Sequence, residues 1–74
     1  MTETFYVRFW EAERYDINRD ADVIMLAATT PTGTWWAESE RESPAKDREK
    51  REAFKTYVAG ALQAGLDPCE VEIG

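Results

Sequence analysis

Between Ser43 and Pro68 the chain carries helix punctuation at both ends, and that segment limits what the rest can become. Ser43 suits an N-cap, because its side-chain oxygen can accept a backbone N–H from the first turn. Pro44 suits the first helical position, where its missing N–H is not needed. Phe54, Val58, Ala61 and Leu62, with Tyr57 beside them, recur at the spacing of one helix face. Gly65 can supply the left-handed residue after the helix and Leu66 the apolar contact that goes with it, while Pro68 prevents continuation. A helix with one apolar stripe must bury it, and in a chain of 74 residues the partner is a single sheet.

The strands of that sheet are read from alternation. "TFYVRFW", residues 4–10, is aromatic and β-branched and predicts a strand. "DVIMLAATT", 22–30, predicts a second and "TWWAES", 34–39, a third. Pro31 presets the turn between them, and Gly33 is expected in a left-handed conformation that closes a hairpin with a bulge. "CEVEI", 69–73, predicts a short last strand, with Cys69 as a small apolar residue at its start. The expected fold is one α+β domain over residues 1–74. It is a small antiparallel or mixed sheet in the order β-β-β-α-β, with one helix packed on one face. The simplest crossover places the last strand beside the first.

Residues 11–22 read as an acidic connection. In "YDINRDAD", Asp16, Asn18, Asp20 and Asp22 occupy the first, third, fifth and seventh positions of a calcium loop. The loop fails elsewhere: its sixth position is Ala21 where Gly is required, its twelfth is Ala27 where a bidentate Glu is required, and strands flank it. A solvated hairpin connection fits better. The helix's first half, "KDREKRE", lacks an apolar stripe and would place Asp47, Lys50 and Arg51 towards the core, so it is expected to overhang the sheet in water. Gly60 within the helix suggests either close approach to a bulky side chain such as Trp35 or simple tolerance.

Composition removes most catalytic classes. The chain has no histidine, so His-based triads and His metal ligands are absent. Cys69 is its one cysteine, which rules out a disulfide within the chain and suits a reducing, cytoplasmic setting. No glycine-rich phosphate loop occurs. No catalytic, cofactor-binding or metal-binding residue is therefore expected, and the chain is not expected to be an enzyme. No apolar run approaches the ~20 residues of a membrane span, and "MTETFYVRF" lacks the basic and apolar regions of a secretory signal.

The sheet has one apolar face too many. Phe5, Val7, Phe9, Ile24, Leu26, Trp35, Val71 and Ile73 fall on the helix-facing side. The opposite side carries Tyr6, Arg8, Trp10, Val23, Met25 and Trp36, together with Glu38, Glu40, Glu42, Glu70 and Glu72. A contiguous aromatic patch facing water marks an interaction surface, and Trp, Tyr and Arg dominate interface energies. Either a partner covers it, or the N-terminal arm or the 11–22 connection folds over it. The net charge is −6, yet segment 46–55 holds five basic and three acidic residues, so the negative field belongs to the sheet, the connection and the tail.

An acidic row beside exposed aromatics complements a basic, Arg- and Lys-rich surface on a partner protein. The same field disfavours direct nucleic-acid binding. In size and charge the chain is similar to the small inhibitors that phages use against nucleic-acid-processing machines, including anti-CRISPR proteins and DNA mimics. The similarity is one of type: no motif is shared, and no residue role carries over. The expected function is thus a small acidic interaction module, with Tyr6, Arg8, Trp10, Met25, Trp36, Glu38, Glu40, Glu42, Glu70 and Glu72 at its partner-binding face. The alternative is a homodimer or structural subunit that packs two such faces together.

Overall fold

In the computed structural model, which describes residues 7–73, three antiparallel strands precede one helix. β1 is Arg8–Asp16, β2 is Ala21–Thr30 and β3 is Gly33–Glu40, in the spatial order β1-β2-β3. α1 is Pro44–Gln63. The small α+β architecture matches the sequence reading. Phe5 and Tyr6 lie outside the described residues.

β1 departs most from expectation. It continues six residues beyond Trp10, through the segment read as an acidic connection, and pairs one for one from Arg8↔Thr29 to Asp16↔Ala21. The turn is only residues 17–20, and it absorbs the Asp pattern. The Asp16 Oδ1 accepts the Asn18 N–H at 2.9 Å, and Asp20 takes a left-handed φ of 51°. "EAERYD" lacks apolar alternation because its partners are charges. Its inner side chains, Glu11 and Glu13, meet arginines from below, and Arg14 on the outer side meets Glu38.

β2 is the central strand and the core of the sheet. Ile24, Leu26 and Ala28 on its inner face pack with Trp35 and Ala37 of β3 and with Phe54, Val58 and Ala61 of α1. Phe9 on β1 meets Phe54 edge to face at 6.4 Å, and Trp35 meets Tyr57 likewise at 6.1 Å. The Trp35 Nε1 is buried without a hydrogen-bond acceptor among the described residues. The β2–β3 connection is two residues with no bulge, since Thr30 pairs directly with Gly33. Gly33 has the positive φ expected of it, +146°, which L-residues rarely adopt, and a Cβ there would also lie 3.0 Å from Pro68 Cγ, so the backbone and the close approach of the tail both favour glycine.

The helix ends follow their punctuation. The Ser43 Oγ accepts the Lys46 N–H at 3.2 Å. After the C-cap Ala64, Gly65 has φ +71°, and the Leu66 and Gly65 N–H groups donate to the Ala61 and Leu62 carbonyls at 3.0 and 3.2 Å. A Cβ on Gly60 would meet nothing within 4 Å, so no close approach to Trp35 explains it.

The first half of α1 does not overhang in water. Asp47 is 1% exposed; its carboxylate accepts the Glu42 backbone N–H at 3.1 Å and the Arg41 Nε–H at 3.5 Å. Arg51 donates to both oxygens of Glu11 at 2.9 and 3.0 Å, and Arg41 reaches Glu13. Lys50 donates to the Glu40 carbonyl at 2.8 Å and pairs with Glu42 at 2.7 Å. The extension of β1 supplies the carboxylates that make this docking favourable.

The tail also differs. Residues 69–73 form a single parallel bridge, Trp36↔Glu70, beside β3 and not beside β1. The Val71 N–H donates to the Trp36 carbonyl at 2.7 Å, and the Trp36 N–H to the Cys69 carbonyl at 3.4 Å. Pro68 seated on Gly33 directs the chain to that edge. Val71 is buried as expected, whereas Cys69 is exposed instead of entering a strand core.

Candidate functional site

The outer sheet face is assembled by register. Directly opposite residues share a face, so Trp10, Ala27 and Trp36 form one transverse row, Arg8, Thr29 and Thr34 the next, and Ala12, Met25 and Glu38 the one on the other side. Ala27 is only 1% exposed, while Trp10 and Trp36 flank it at 40% and 36%. The small central residue is itself covered, and the two indoles carry the exposed surface of the row. The Trp10 Nε1–H donates to Thr29 Oγ1 at 3.1 Å, which fixes that indole along the strand direction.

Beyond Met25 the face turns polar. The Arg14 Nη2 donates to both Glu38 oxygens at 3.1 Å. By register this pair crosses β2 between Val23 and Met25, and Val23 has no exposed surface. At the β3 edge, Glu70 and Glu72 alternate with buried Val71 and so point away from the core. They line a concavity of about 530 Å³ with Arg19, Glu38, Val71 and Ile73. Among the described residues no cation lies within 4.0 Å of the Glu40, Glu70 or Glu72 carboxylates.

The structure therefore brings Arg8, Trp10, Met25, Trp36, Glu38 and Glu40 onto one face, with Glu70 and Glu72 along its rim. Glu42 is not among them. β3 ends at Glu40, the Arg41 N–H continues the pairing to the Asp22 carbonyl for one more residue, and Glu42 then turns towards Lys50 below the sheet. Tyr6 lies outside the described residues. The 11–22 segment does not fold over the aromatics, because it is committed to the β1–β2 hairpin. Arg14 and Arg19 are the members that sequence reasoning missed. For Arg14 the signal is present: no Gly, Pro, Asn or Asp interrupts residues 9–15, so nothing there supports a turn; Arg19 sits in the turn itself and has no such signal.

The charged groups with displaced protonation all lie off this face or at its far end. Glu42's hydrogen bond from its backbone, followed by contact with Arg41, holds the Asp47 carboxyl below the usual range against the opposing cost of burial. Lys50 holds Glu42 low in the same way. Glu13 raises Arg41, Glu11 raises Arg51, and acceptance by Asp20 raises the Tyr15 hydroxyl. Among the described residues, no group of three or more His, Cys, Asp and Glu side chains is placed to hold a metal ion, and no helix is long and apolar enough to cross a membrane. What the face offers chemically is flat π surface beside carboxylates. The chain has no significant match to a family model, to a curated protein or to a solved structure.

Proposed function

We propose that the chain is a small protein-interaction module whose outer sheet face takes an arginine-bearing segment of a basic partner. The observation that carries this reading is the pair of exposed indoles, Trp10 and Trp36, in one row beside Glu40, Glu70 and Glu72, whose carboxylates have no ion-pair partner among the described residues. A guanidinium stacks on an indole face and donates in the plane to a carboxylate, so one arginine satisfies both features. Lysine fits less well, because its ammonium offers no flat surface to stack.

Grooves rich in arginine are the phosphate-binding surfaces of nucleic-acid-processing proteins. A chain of net charge −6 is repelled by nucleic acid itself and attracted to such a groove. The biological form of the proposal is thus an inhibitor that competes with DNA or RNA, of the kind phages deploy. Packing two outer faces together is the weaker reading. It would set the Glu40, Glu70 and Glu72 rim of one copy against the same carboxylates of the other, with Arg8 and Arg19 as the face's own cations to offset them.

The test is calorimetric titration with an arginine-rich peptide and its lysine counterpart, on the wild type and on a Trp10→Ala, Trp36→Ala variant. Preference for the arginine peptide and a loss of about tenfold or more in the variant are expected. Binding should weaken as salt rises. Equal affinity of wild type and variant would remove the outer face from the interaction.

A further inference from the structure

The two edges of the sheet are treated differently. The tail covers the β3 edge through the Val71–Trp36 hydrogen bond. Among the described residues nothing pairs with the outer edge of β1, although every residue of that strand but Asp16 is exposed. Exposed edges are usually guarded by charged side chains, above all lysine, or by proline, a bulge, brevity or an inward-pointing charge. β1 has nine residues, no lysine or proline and an unbroken register, and its charged residues are of both signs, so a second copy can oppose unlike ones. Its inward charges, Glu11 and Glu13, do not guard it, because Arg51 and Arg41 already pair with them.

We propose that β1 pairs antiparallel with β1 of a second copy, about a two-fold axis through Ala12. Three observations select a second copy as the occupant. First, Ala12 is the midpoint of Arg8–Asp16, so this register pairs the whole strand with itself. Second, the residues it sets opposite one another are complementary in type: Arg8 with Asp16, which also meets Arg19 at 3.6 Å; Trp10 with Arg14, which also meets Glu38; and Phe9 with Tyr15, each twice by symmetry. Third, a slip of two residues destroys this. One direction sets Arg8 against Arg14, twice by symmetry; the other runs Arg8 past the strand end and leaves Asp16 opposite Trp10. In the proposed register the remaining pair is Glu11 with Glu13, and each carries its own arginine into the dimer.

The pairing keeps inner residues opposite inner residues, so both helices lie on the same side of a continuous six-stranded sheet. Trp36 stays uncovered. This dimer is distinct from face-to-face packing, and it shares one residue with the arginine-binding row: Trp10, which would meet the partner copy's Arg14.

Sedimentation equilibrium of the full chain across a concentration series tests the pairing. The primary variant is Ala12→Lys, which places two like charges on the axis at an exposed position outside the core. The wild type should dimerise with rising concentration, Ala12→Lys should weaken association about tenfold or more, and Trp36→Ala should leave it unchanged. A second arm mixes Arg8→Asp with Asp16→Arg. Each alone brings like charges together, whereas the mixed pair restores two opposite-charge contacts, so the mixture should associate more tightly than either variant. Because Asp16 also holds the turn, both variants are first checked for folding by circular dichroism. A wild type that stays monomeric throughout, or a dimer insensitive to Ala12→Lys, overturns the proposal; neither result bears on peptide binding by the outer face.

Discussion

The two halves of α1 rest on the same sheet face by opposite means. Phe54, Val58 and Ala61 sit in a dry layer with Ile24, Leu26 and Trp35. Two turns earlier, Asp47, Lys50 and Arg51 meet Glu11, Arg41, Glu42 and the Glu40 carbonyl in a layer of ion pairs and hydrogen bonds. The dry half is non-directional: it needs only apolar surface on both sides. The charged half needs each donor to find its acceptor, so it fixes how the helix is placed along and across the sheet. Burial of Asp47 is tolerated only because a backbone N–H and a guanidinium both meet it.

Breaking the dry half should cost most. Phe54→Ala removes the ring that contacts Phe9 and leaves a cavity under β2, an expected loss of about 3–5 kcal/mol by urea denaturation. Asp47→Ala strikes the charged half. It leaves the Glu42 N–H and Arg41 without their acceptor, and the melting temperature should fall by roughly 10 °C.

Acid separates the two halves without mutation. The folded-state pKa values of Asp47 and Glu42 are lowered, so their stabilisation is fully present above the unfolded carboxylate range near pH ~4. It is lost as pH falls through the folded values. Thermal melts from neutral pH down to about pH 3 should therefore decline more steeply for the wild type than for Asp47→Ala. The dry half should show no such dependence.

Two glycines give smaller effects of opposite sign. Gly33→Ala forces a Cβ against Pro68 at a φ that L-residues rarely adopt, and should destabilise by about 1–3 kcal/mol. Gly60→Ala adds a methyl to open space on a helix and should stabilise by about 1 kcal/mol. Chemical denaturation of the two variants in parallel checks both signs.

The same contrast explains what could be read from the sequence. Ser43, Pro44, Gly65 and Pro68 mark helix ends by local chemistry, and the Phe54–Val58–Ala61 stripe declares its own burial. Period-two alternation placed Trp10, Met25 and Trp36 together because it needs no knowledge of the partner strand. The rest depended on pairs distant in sequence. Glu11 and Arg51 are 40 residues apart, and neither announces the other. Without those pairings, "EAERYD" reads as a loop and "KDREKRE" as a solvated overhang. Arg14 lies within the first of these segments, where the lack of turn residues is the one local sign of a continued strand, and the Glu38–Glu40–Glu42 row stops at Glu40 because the chain turns towards the N-cap. The tail's choice of the β3 edge rests on the contact of Pro68 with Gly33, which is a tertiary event.

The proposed outer-face site is tested most directly by the three tryptophan indole N–H resonances, followed by 15N–1H NMR as an arginine-rich peptide is added. Trp10 and Trp36 stand on the outer face, whereas Trp35 is buried under the helix and serves as an internal control. The predicted result is a shift of the Trp10 and Trp36 indoles with Trp35 unmoved. Saturating peptide that leaves both outer indoles in place, or that moves only Trp35 and the helix, would contradict an outer-face site.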